Sequence, residues 1–400
     1  MDYKPGDLQK YAQTAYDDMM GHFWDTKENH VIQTHAGRPA KSRSPIWEFA
    51  TVIYTMITMY DLTGDENIKN KIQAQWDYIQ KTYPDNVLIA TGRYYNPALD
   101  DASWTARLLS NMYQITGDKK ALELCRRMVC NSYEHWKDGD VGNGLWYAFK
   151  DEVDNRLEEK TIYDCGLVLA GLEYYKATQG TNIEDPELFQ DTMKVYRWME
   201  NYLRRDKVKT YGNVTVAVTD NLYFNTFYDK KEKMIFEPGS YQNTGVAEDS
   251  SSSSLLGNTA MAIIHKNLYD ITGDGIYLQK ALETANAMAS SGYSPDGVLV
   301  NDFDAWTNTT FIGQFVKEVL PLPGIDEKWS GLLKNTAVAI MSRARTGEGY
   351  YKASWMGSEA FSHLNQYKGY DMTPGVMMPS VCTVHMVIAA GLGDKLGLIH

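Results

Sequence analysis

The sequence predicts an all-α fold, an (α/α)6 toroid of six helical hairpins with a small β-hairpin insertion near residues 207–250. Three observations lead to this prediction: a repeated helix–helix corner, an alternation of two kinds of helix, and long connections that precede only one of those kinds. A repeat period of roughly 50 residues fits one helical hairpin per repeat. We expect a single domain over residues 1–400, because this length and a 44% hydrophobic content can bury a large core.

The repeated corner is a Thr-Gly-Asp sequence at the end of an apolar segment. It forms the end of the segments 59–65, 112–118 and 268–274, and a less similar copy forms the end of the segment 174–180. Gly takes the left-handed conformation after a helix C-terminus, and Asp caps the helix that follows. Each corner therefore predicts a short connection between two helices.

The two kinds of helix differ in where their apolar residues lie. One kind is apolar nearly all round, as in residues 51–57 and 165–172, which is typical of a buried helix; the other carries charge on one face, which is typical of an outer helix. We predict outer helices near residues 8–24, 66–82, 119–136, 185–204, 275–291 and 328–345. We predict inner helices near residues 45–63, 100–116, 160–178, 255–272, 306–320 and 377–391.

The connections from outer to inner helices are long, such as residues 86–99, 137–159 and 207–254. All of them therefore lie on the face formed by the N-termini of the inner helices, and long loops at one end of a rigid scaffold commonly carry a binding site. The longest connection alternates apolar and polar residues between Tyr211 and Phe236, which predicts the small β-hairpin.

Composition excludes several classes of function. A net charge of −12 without a Lys/Arg run argues against nucleic acid and anionic membrane surfaces as partners. Four cysteines do not indicate a disulfide scaffold, and no His/Cys cluster indicates a metal, so we expect neither metal nor cofactor. No apolar segment approaches the length of a membrane span. The start, Met1-Asp2-Tyr3, resembles a mature chain restarted with Met, which leaves export undecided.

Two adjacent carboxylates, Asp100 and Asp101, open the second inner helix on the long-loop face. They follow Asn96-Pro97 and precede an apolar-periodic run that begins at Trp104. Asp is a favoured N-cap and acidic residues suit the first helical turn, so one carboxyl is explained as a cap. The other is not, because a cap needs a single acceptor.

Consecutive carboxyl groups at a helix start can lie about 5 Å apart, the separation that a retaining glycosidase uses for its nucleophile and its acid/base. Close like charges push the two pKa values apart, while the helix dipole holds the favoured group ionised. One anion and one proton donor near neutral pH suit glycosidic bond cleavage. The alternative interpretation is a helix cap beside a solvated acid.

Several stretches, taken in order, resemble glycoside hydrolase family 76, the α-1,6-mannanases, over most of the chain. These stretches are Trp24-Asp25, Trp47-Glu48-Phe49-Ala50, Asp100-Asp101-Ala102-Ser103-Trp104, Gly142-Asn143-Gly144-Leu145-Trp146-Tyr147, Lys160-Thr161 and Phe311-Ile312-Gly313-Gln314-Phe315-Val316. The resemblance implies the α/α toroid and a retaining double displacement on α-mannosidic linkages, expected to be endo-acting, with Asp100 as nucleophile and Asp101 as acid/base.

The resemblance also implies residues that bind the substrate. The candidate set is Trp47, Tyr95, Asn96, Trp104, Trp146, Tyr147, Lys160 and Asp220, of which the four aromatic residues Trp47, Trp104, Trp146 and Tyr147 would line sugar subsites. Trp104 can instead be a core residue, and Asp220 a turn residue. Two departures from the family pattern leave the sugar and the linkage open: Leu256-Gly257-Asn258-Thr259 replaces a Tyr-Asn-Gln-Gly element, and Thr161 replaces an Asn.

Other functions are possible on the same fold. An unsaturated uronyl hydrolase would need a cation for the uronate, for which Arg93 and Lys160 are candidates. A sugar 2-epimerase would need paired histidines, and no convincing pair is present. A non-catalytic protein that binds glycans could keep the groove and lose turnover. We expect a mannan-type partner, a monomer, and a secreted, periplasmic or cell-surface location.

Overall fold

A computed structural model describes residues 4–31, 46–82, 99–134, 136–137, 144–145, 159–161, 164–211, 214–216, 219–223, 226–229, 234–235, 255–290, 297–299, 309–352, 355, 366–367, 370–371 and 377–400. Twelve α-helices lie in these residues: α1 (Asp7–Phe23), α2 (Ile46–Thr63), α3 (Glu66–Thr82), α4 (Leu99–Thr116), α5 (Lys119–Tyr133), α6 (Cys165–Thr178), α7 (Pro186–Tyr202), α8 (Leu255–Thr272), α9 (Gly275–Ser290), α10 (Ile312–Glu318), α11 (Lys328–Ala339) and α12 (Met377–Lys395). Each of the twelve helices predicted from the sequence is present.

Two predicted inner helices have wrong ends. The inner helix predicted over residues 160–178 begins only at Cys165, because Glu159–Thr161 is drawn into a strand that pairs with a neighbour. The inner helix predicted over residues 306–320 is limited to Ile312–Glu318. The last outer helix, predicted over residues 328–345, has the predicted bounds to within one residue: it continues from Ala339 into a π-helical turn, Ile340–Ala344, before an extended Arg345 ends it.

Short antiparallel strands lie between the helices. They are β1 (Trp24–Asp25), β2 (His30–Val31), β3 (Trp136–Lys137), β4 (Gly144–Leu145), β5 (Glu159–Thr161), β6 (Lys209–Tyr211), β7 (Val214–Val216), β8 (Thr226–Asp229), β9 (Met234–Ile235), β10 (Gln366–Tyr367) and β11 (Tyr370–Asp371). The predicted β-hairpin is confirmed as β6 and β7, with Lys209 opposite Val216. The same insertion also supplies β8 and β9, which form a three-stranded sheet with β5.

The Thr-Gly-Asp corners form as predicted, with the same bonds in each copy. At the corner between α2 and α3, Gly64 has φ +68° and its N–H donates to the Tyr60 carbonyl. The Thr63 hydroxyl donates to the Met59 carbonyl, and Asp65 accepts from the Asn67 N–H. Equivalent bonds recur around Gly117 and Gly273. The repeat is therefore a structural device that turns one helix into the next.

The chain forms two compact units, one of residues 1–79, 244–246 and 285–400, the other of residues 80–243 and 247–284. In the first unit, α12 is buried almost all round and packs on α1, α2 and α10. In the second unit, α6 is buried continuously from Cys165 to Tyr174, and α8 from Leu255 to His265. By contrast, α3 buries one face, Ile68, Ile72, Gln75, Trp76 and Ile79. These burial patterns match the predicted inner and outer helices, and the single domain over residues 1–400 stays a prediction.

Close helix packing in the first unit gives a testable consequence at Gly391. A Cβ atom built there would lie 2.7 Å from the Cβ of Ala12 and 3.0 Å from the backbone oxygen of Leu8, so α1 and α12 would have to move apart. We expect Gly391→Ala to lower the free energy of unfolding by about 1–3 kcal/mol, as overpacking does. Urea unfolding followed by circular dichroism measures this change.

The matched control is Gly21→Ala, since a Cβ at Gly21 in α1 meets no atom within 4 Å. Gly21→Ala should leave the free energy of unfolding at its wild-type value or raise it by about 0.5–1 kcal/mol, because Ala is the better helix former. Equal urea midpoints for wild type and Gly391→Ala would contradict the predicted overpacking.

Candidate active site

The twin aspartates lie in the first turn of α4. The helix begins at Leu99, one residue earlier than predicted, so Asp100 and Asp101 are inside the helix rather than at its cap position. Carboxylates in the first turn are stabilised by the positive end of the helix dipole. The side chains of Asp100 and Asp101 lie outside the described residues, so the separation of about 5 Å between their carboxyl groups stays a prediction.

Two contacts define how α4 packs against α6 in the second unit. A Cβ at Gly166 would lie 2.9 Å from the Ser103 Oγ, so the two backbones approach closely there. Further along, the Ser110 hydroxyl donates to the Glu173 carboxylate. In both contacts the partners are 63 residues apart, so the two helices are parallel and in register. The start of α6 therefore lies level with the first turn of α4.

Two buried charged residues lie near the N-terminal ends of α4 and α6. Arg107 on α4 is 2% exposed, and Asp164, directly before α6, is 1% exposed. Burial raises the pKa of the Cys165 thiol, the negative charge of Asp164 raises it further, and the Arg107 guanidinium opposes them. Both charges are therefore close to Cys165. Neither was a candidate in the sequence analysis, although an Arg within an apolar helix, seven residues after Asp100, was a usable signal.

A buried carboxylate also joins the two helices farther from their starts. Glu173 is 5% exposed and accepts from the Ser110 hydroxyl and, at 3.4 Å, from the Asn111 amide. Its negative charge adds to burial in raising the pKa of the Cys125 thiol on α5. Hydrogen bonds to a buried carboxylate hold the facing helix surfaces in one register.

Three of the predicted substrate-binding residues have described positions. Trp104 is 5% exposed, so the core packs most of its surface. Lys160 lies on β5 opposite Tyr228 of β8. Asp220 is held by the Arg205 guanidinium, with Nε to Oδ1 at 2.8 Å and Nη2 to Oδ2 at 2.6 Å. This bidentate pair favours the turn interpretation of Asp220, and its contact with sugar stays a prediction.

Of the remaining candidates, the structure describes only the backbone of Trp47. Trp47 lies in the first turn of α2, and its side chain lies outside the described residues. Tyr95, Asn96, Trp146 and Tyr147 lie outside them entirely, as does Arg93. Their roles as substrate-binding residues stay predictions.

A second buried charged group, the Glu200 cluster, lies between α7, α8 and α9, and comprises Glu200, Arg204, Tyr223, His265, Lys280 and Glu283. Its central carboxylate accepts from the Tyr223 hydroxyl, the Lys280 ammonium, His265 Nε2 at 3.1 Å and Arg204 at 3.3 Å. Arg204 also contacts Glu283 at 2.5 Å. Each carboxylate of the cluster has a cationic partner, which is the pattern of a structural ion network.

The titration behaviour of the cluster follows from its burial and its charges. Burial alone would raise the pKa of Glu200, but the hydrogen bond from His265 and the Lys280 ammonium outweigh it and hold this pKa well below its ordinary range. Burial lowers the pKa of His265. Burial and the neighbouring Glu200 charge raise the pKa of Tyr223. The carboxylate is therefore anionic at neutral pH, and the imidazole and phenol are neutral.

The described part of the chain contains no group of three or more His, Cys, Asp or Glu side chains placed to hold a metal ion. Within the same residues, none of the helices has both the length and the apolar content needed to span a membrane.

A family model described as Glycosyl hydrolase family 76 matches residues 7–381. No curated protein sequence matches the chain at a significant level. Among solved structures, the family 76 α-1,6-mannanase of Salegentibacter sp. HEL1_6 is similar at a TM-score of 0.70 and 17% identity, over 96% of this chain and 99% of that one. An inactive variant of that enzyme, with two consecutive aspartates replaced by asparagine and α-1,6-mannotriose bound, is similar at a TM-score of 0.70 and 16% identity over the same shares.

An unsaturated glucuronyl hydrolase specific for heparin is also similar, at a TM-score of 0.60 and 14% identity, over 98% of both chains. At these identities the likeness to solved structures shows the fold alone. That fold is the all-α toroid predicted from the sequence.

Proposed function

The chain belongs to glycosyl hydrolase family 76 and is a glycoside hydrolase, and we propose that it cleaves α-1,6-linked mannan by a retaining double displacement. One observation carries the proposal: two consecutive aspartates, Asp100 and Asp101, open α4. In the similar Salegentibacter enzyme, replacement of two consecutive aspartates gives a protein described as inactive that holds α-1,6-mannotriose. The shared pattern supports the same use of the pair in this chain.

In the proposed reaction the two carboxyl groups have different tasks. The Asp100 carboxylate attacks the anomeric carbon, forming a bond to it as the bond to the leaving oxygen breaks. Asp101 donates its proton to that oxygen and then takes a proton from the water that hydrolyses the glycosyl-enzyme. Two inversions at one carbon return the starting configuration, so the first product is an α-anomer.

The proposed subsites use the aromatic residues of the long-loop face. Trp47, Trp104, Trp146 and Tyr147 offer flat apolar faces that suit the faces of sugar rings. Polar contacts are assigned to Tyr95, Asn96, Lys160 and Asp220. We propose that the enzyme acts outside the cytoplasm, because polysaccharide chains such as mannan are encountered there. We further propose that it is a monomer and that it cleaves linkages in the interior of the polysaccharide chain.

A second candidate function is the hydration of an unsaturated uronic acid sugar. The similarity in fold to the heparin-specific glucuronyl hydrolase is the reason to test this second function as well. That reaction needs one acidic residue and a cation for the uronate, with Arg93 and Lys160 as the candidates. A protein that binds mannan without turnover is the third possibility.

One assay separates these functions. Purified protein is incubated with α-1,6-mannan, with α-1,2- and α-1,3-linked mannan, and with unsaturated heparin disaccharides, each with and without EDTA. We expect release of short oligosaccharides from α-1,6-mannan alone, unaffected by EDTA, and NMR should show that the α-anomer forms first. Turnover of the uronate substrate, a β-anomer formed first, or loss of activity in EDTA restored by a divalent ion would each contradict part of the proposal.

A further inference from the structure

The Trp24-Asp25 pair, which the proposed reaction does not use, opens a short hairpin of β1 and β2 directly after α1. Asp25 organises the turn of this hairpin, because its carboxylate accepts from the Lys27 backbone N–H at 2.7 Å. Asn29 takes the left-handed conformation, with φ +59°, which Asn adopts more readily than most residues. The turn brings the chain back so that His30 lies opposite Asp25.

The His30 imidazole stacks on the Tyr78 ring of α3. The two ring centroids are 3.8 Å apart, and the rings are 19° from parallel. Tyr78 also meets the edge of the Phe49 ring on α2, at a centroid distance of 5.9 Å and an angle of 81°. The hairpin is tied to α3 as well, because the buried Gln75 side chain accepts from the Val31 N–H at 2.9 Å. We call the stacked pair of His30 and Tyr78 the aromatic platform.

The aromatic platform lies where the end of an outer helix meets the start of an inner helix. Tyr78 is four residues before the end of α3, and Phe49 is the fourth residue of α2. Trp47, which the proposed function assigns to a sugar subsite, precedes Phe49 by two residues. All of these residues belong to the first compact unit. The platform is therefore close along the chain and in space to the start of α2, where we place part of the substrate.

The platform offers flat apolar surface together with unused polar atoms. His30 Nδ1 lies 2.7 Å from the Val31 carbonyl oxygen, which can only accept, so Nδ1 carries the hydrogen. In the uncharged imidazole, Nε2 is then an acceptor. Among the residues that the structure describes, neither this nitrogen nor the Tyr78 hydroxyl has a hydrogen-bond partner. Both residues are half-buried, so part of each remains open to solvent.

We propose that His30 and Tyr78 form a further sugar-binding site, which holds an uncharged hexopyranose unit of the substrate chain. A sugar ring has apolar faces and a rim of hydroxyls, which suits an aromatic surface with a few polar groups at its edge. The stacked rings supply that surface, and His30 Nε2 accepts from a sugar hydroxyl. The platform contains no Lys or Arg to pair with a uronate. This inference rests on the proposed function, because the chain that it binds is the substrate proposed there.

A second stack of a histidine on a tyrosine, in the same unit, has a structural explanation. His22 at the end of α1 stacks on Tyr350, with centroids 3.9 Å apart and rings 20° from parallel. His22 Nε2 also donates to the Glu348 carbonyl at 2.9 Å. The stack and the hydrogen bond therefore join the same two segments, α1 and the turn over residues 346–350. This pair is the matched control for the aromatic platform.

The test compares α-1,6-mannan with a dinitrophenyl mannoside, whose single sugar ring occupies only the site of cleavage. The quantity measured is the specificity ratio, kcat/KM on mannan divided by kcat/KM on the dinitrophenyl mannoside. Tyr78→Ala removes an aromatic contact and should lower this ratio by about 3- to 10-fold, through a higher KM on mannan. Tyr78→Phe keeps the ring and should stay within about 2-fold of wild type. Tyr350→Ala should leave the ratio unchanged.

Binding without turnover gives a second measurement. The Asp100→Asn, Asp101→Asn double variant, in which no hydrolysis is expected, is run by native electrophoresis through gels that contain increasing amounts of α-1,6-mannan. The retardation of the protein gives its Kd for the polymer. Adding Tyr78→Ala should raise this Kd by about 3- to 10-fold, and adding Tyr350→Ala should leave it unchanged.

An unchanged specificity ratio and an unchanged Kd in Tyr78→Ala would overturn the inference. An equal fall of the ratio in Tyr350→Ala would overturn it too, because lost packing rather than lost sugar contact would then be the cause. If Tyr78→Ala does not fold, His30→Ala decides: a lower ratio supports the platform, and an unchanged ratio overturns it.

Failure of the proposed function gives a different result. A wild-type protein that does not cleave α-1,6-mannan, but whose Kd for the polymer still rises in Tyr78→Ala, would contradict the proposed reaction and support the platform. A wild-type protein that neither cleaves nor binds α-1,6-mannan would overturn both.

Discussion

Replacing Asp100 with alanine should abolish hydrolysis of every mannoside. Without the nucleophile no glycosyl-enzyme forms, and a better leaving group cannot compensate for that loss. We expect kcat to fall by about 10²-fold or more, the range that groups acting directly in the reaction supply. The measurement is release of reducing ends from α-1,6-mannan, together with hydrolysis of a dinitrophenyl mannoside.

Asp101→Ala should fail differently, because it removes the proton donor. On polysaccharide, which has a poor leaving group, the kcat of this variant should fall by about 10²-fold or more. Dinitrophenolate leaves without a proton, so the rate at which the glycosyl-enzyme forms from a dinitrophenyl mannoside should fall less. Hydrolysis of the glycosyl-enzyme then lacks a base. Azide needs no deprotonation, so it should restore turnover and give a glycosyl azide of retained configuration.

The matched control for both variants is Asp118→Ala, which removes a helix cap at the corner between α4 and α5. The Asp118 carboxylate accepts from the Lys120 N–H at 2.9 Å. Loss of such a cap costs about 1 kcal/mol of stability and should leave kcat unchanged. If Asp100→Ala and Asp101→Ala behaved like this control, the pair would only stabilise the start of α4. If azide rescued neither variant with retention, the assigned roles would be wrong.

Helices and corners could be predicted from the sequence because their causes are local. The left-handed Gly64, the cap at Asp65 and the hydroxyl of Thr63 act within a few residues of one another. Where the sequence failed, a distant partner decided the outcome. Lys160 lies in a strand because β8, more than 60 residues later, pairs with it. Local helix preference cannot report such a partner.

The candidate site divides in the same way. The sequence predicts Asp100 and Asp101 as site residues from their position at the start of a helix on the long-loop face, and that role stays a prediction. Arg107 and Asp164 were missed, because their relation depends on the register of α4 against α6. That register is set by the contact of Gly166 with Ser103, which the sequence does not reveal.

The Glu200 cluster was also missed, and it gives the largest stability effect that we expect. Glu200 is 9% exposed and Arg204 is 3% exposed. Glu200→Gln keeps the shape of the side chain and removes the negative charge that Arg204 and Lys280 share. Breaking a buried ion pair by removing one partner costs about 3–5 kcal/mol. Urea unfolding at pH 7 should show this loss.

The control makes the same chemical change at an exposed pair. Glu123 contacts Arg127 on α5 with side-chain exposures of 51% and 54%, so Glu123→Gln should change stability by about 0.5 kcal/mol or less. A similar small effect for Glu200→Gln would contradict the view that the cluster holds α7, α8 and α9 together.

The effect of Glu200→Gln should also depend on pH, and its sign follows from the depressed pKa of Glu200. A carboxyl whose pKa is lower in the folded than in the unfolded chain stabilises the fold fully above the unfolded value, here 4.5. As pH falls below that value, the unfolded chain takes up the proton first and the contribution declines. The difference in unfolding free energy between wild type and Glu200→Gln should therefore be constant from pH 8 to about pH 6 and narrow below pH 4.5. A difference that widened on acidification would mean that Glu200 is protonated in the folded protein and that Lys280 and Arg204 are balanced by other groups.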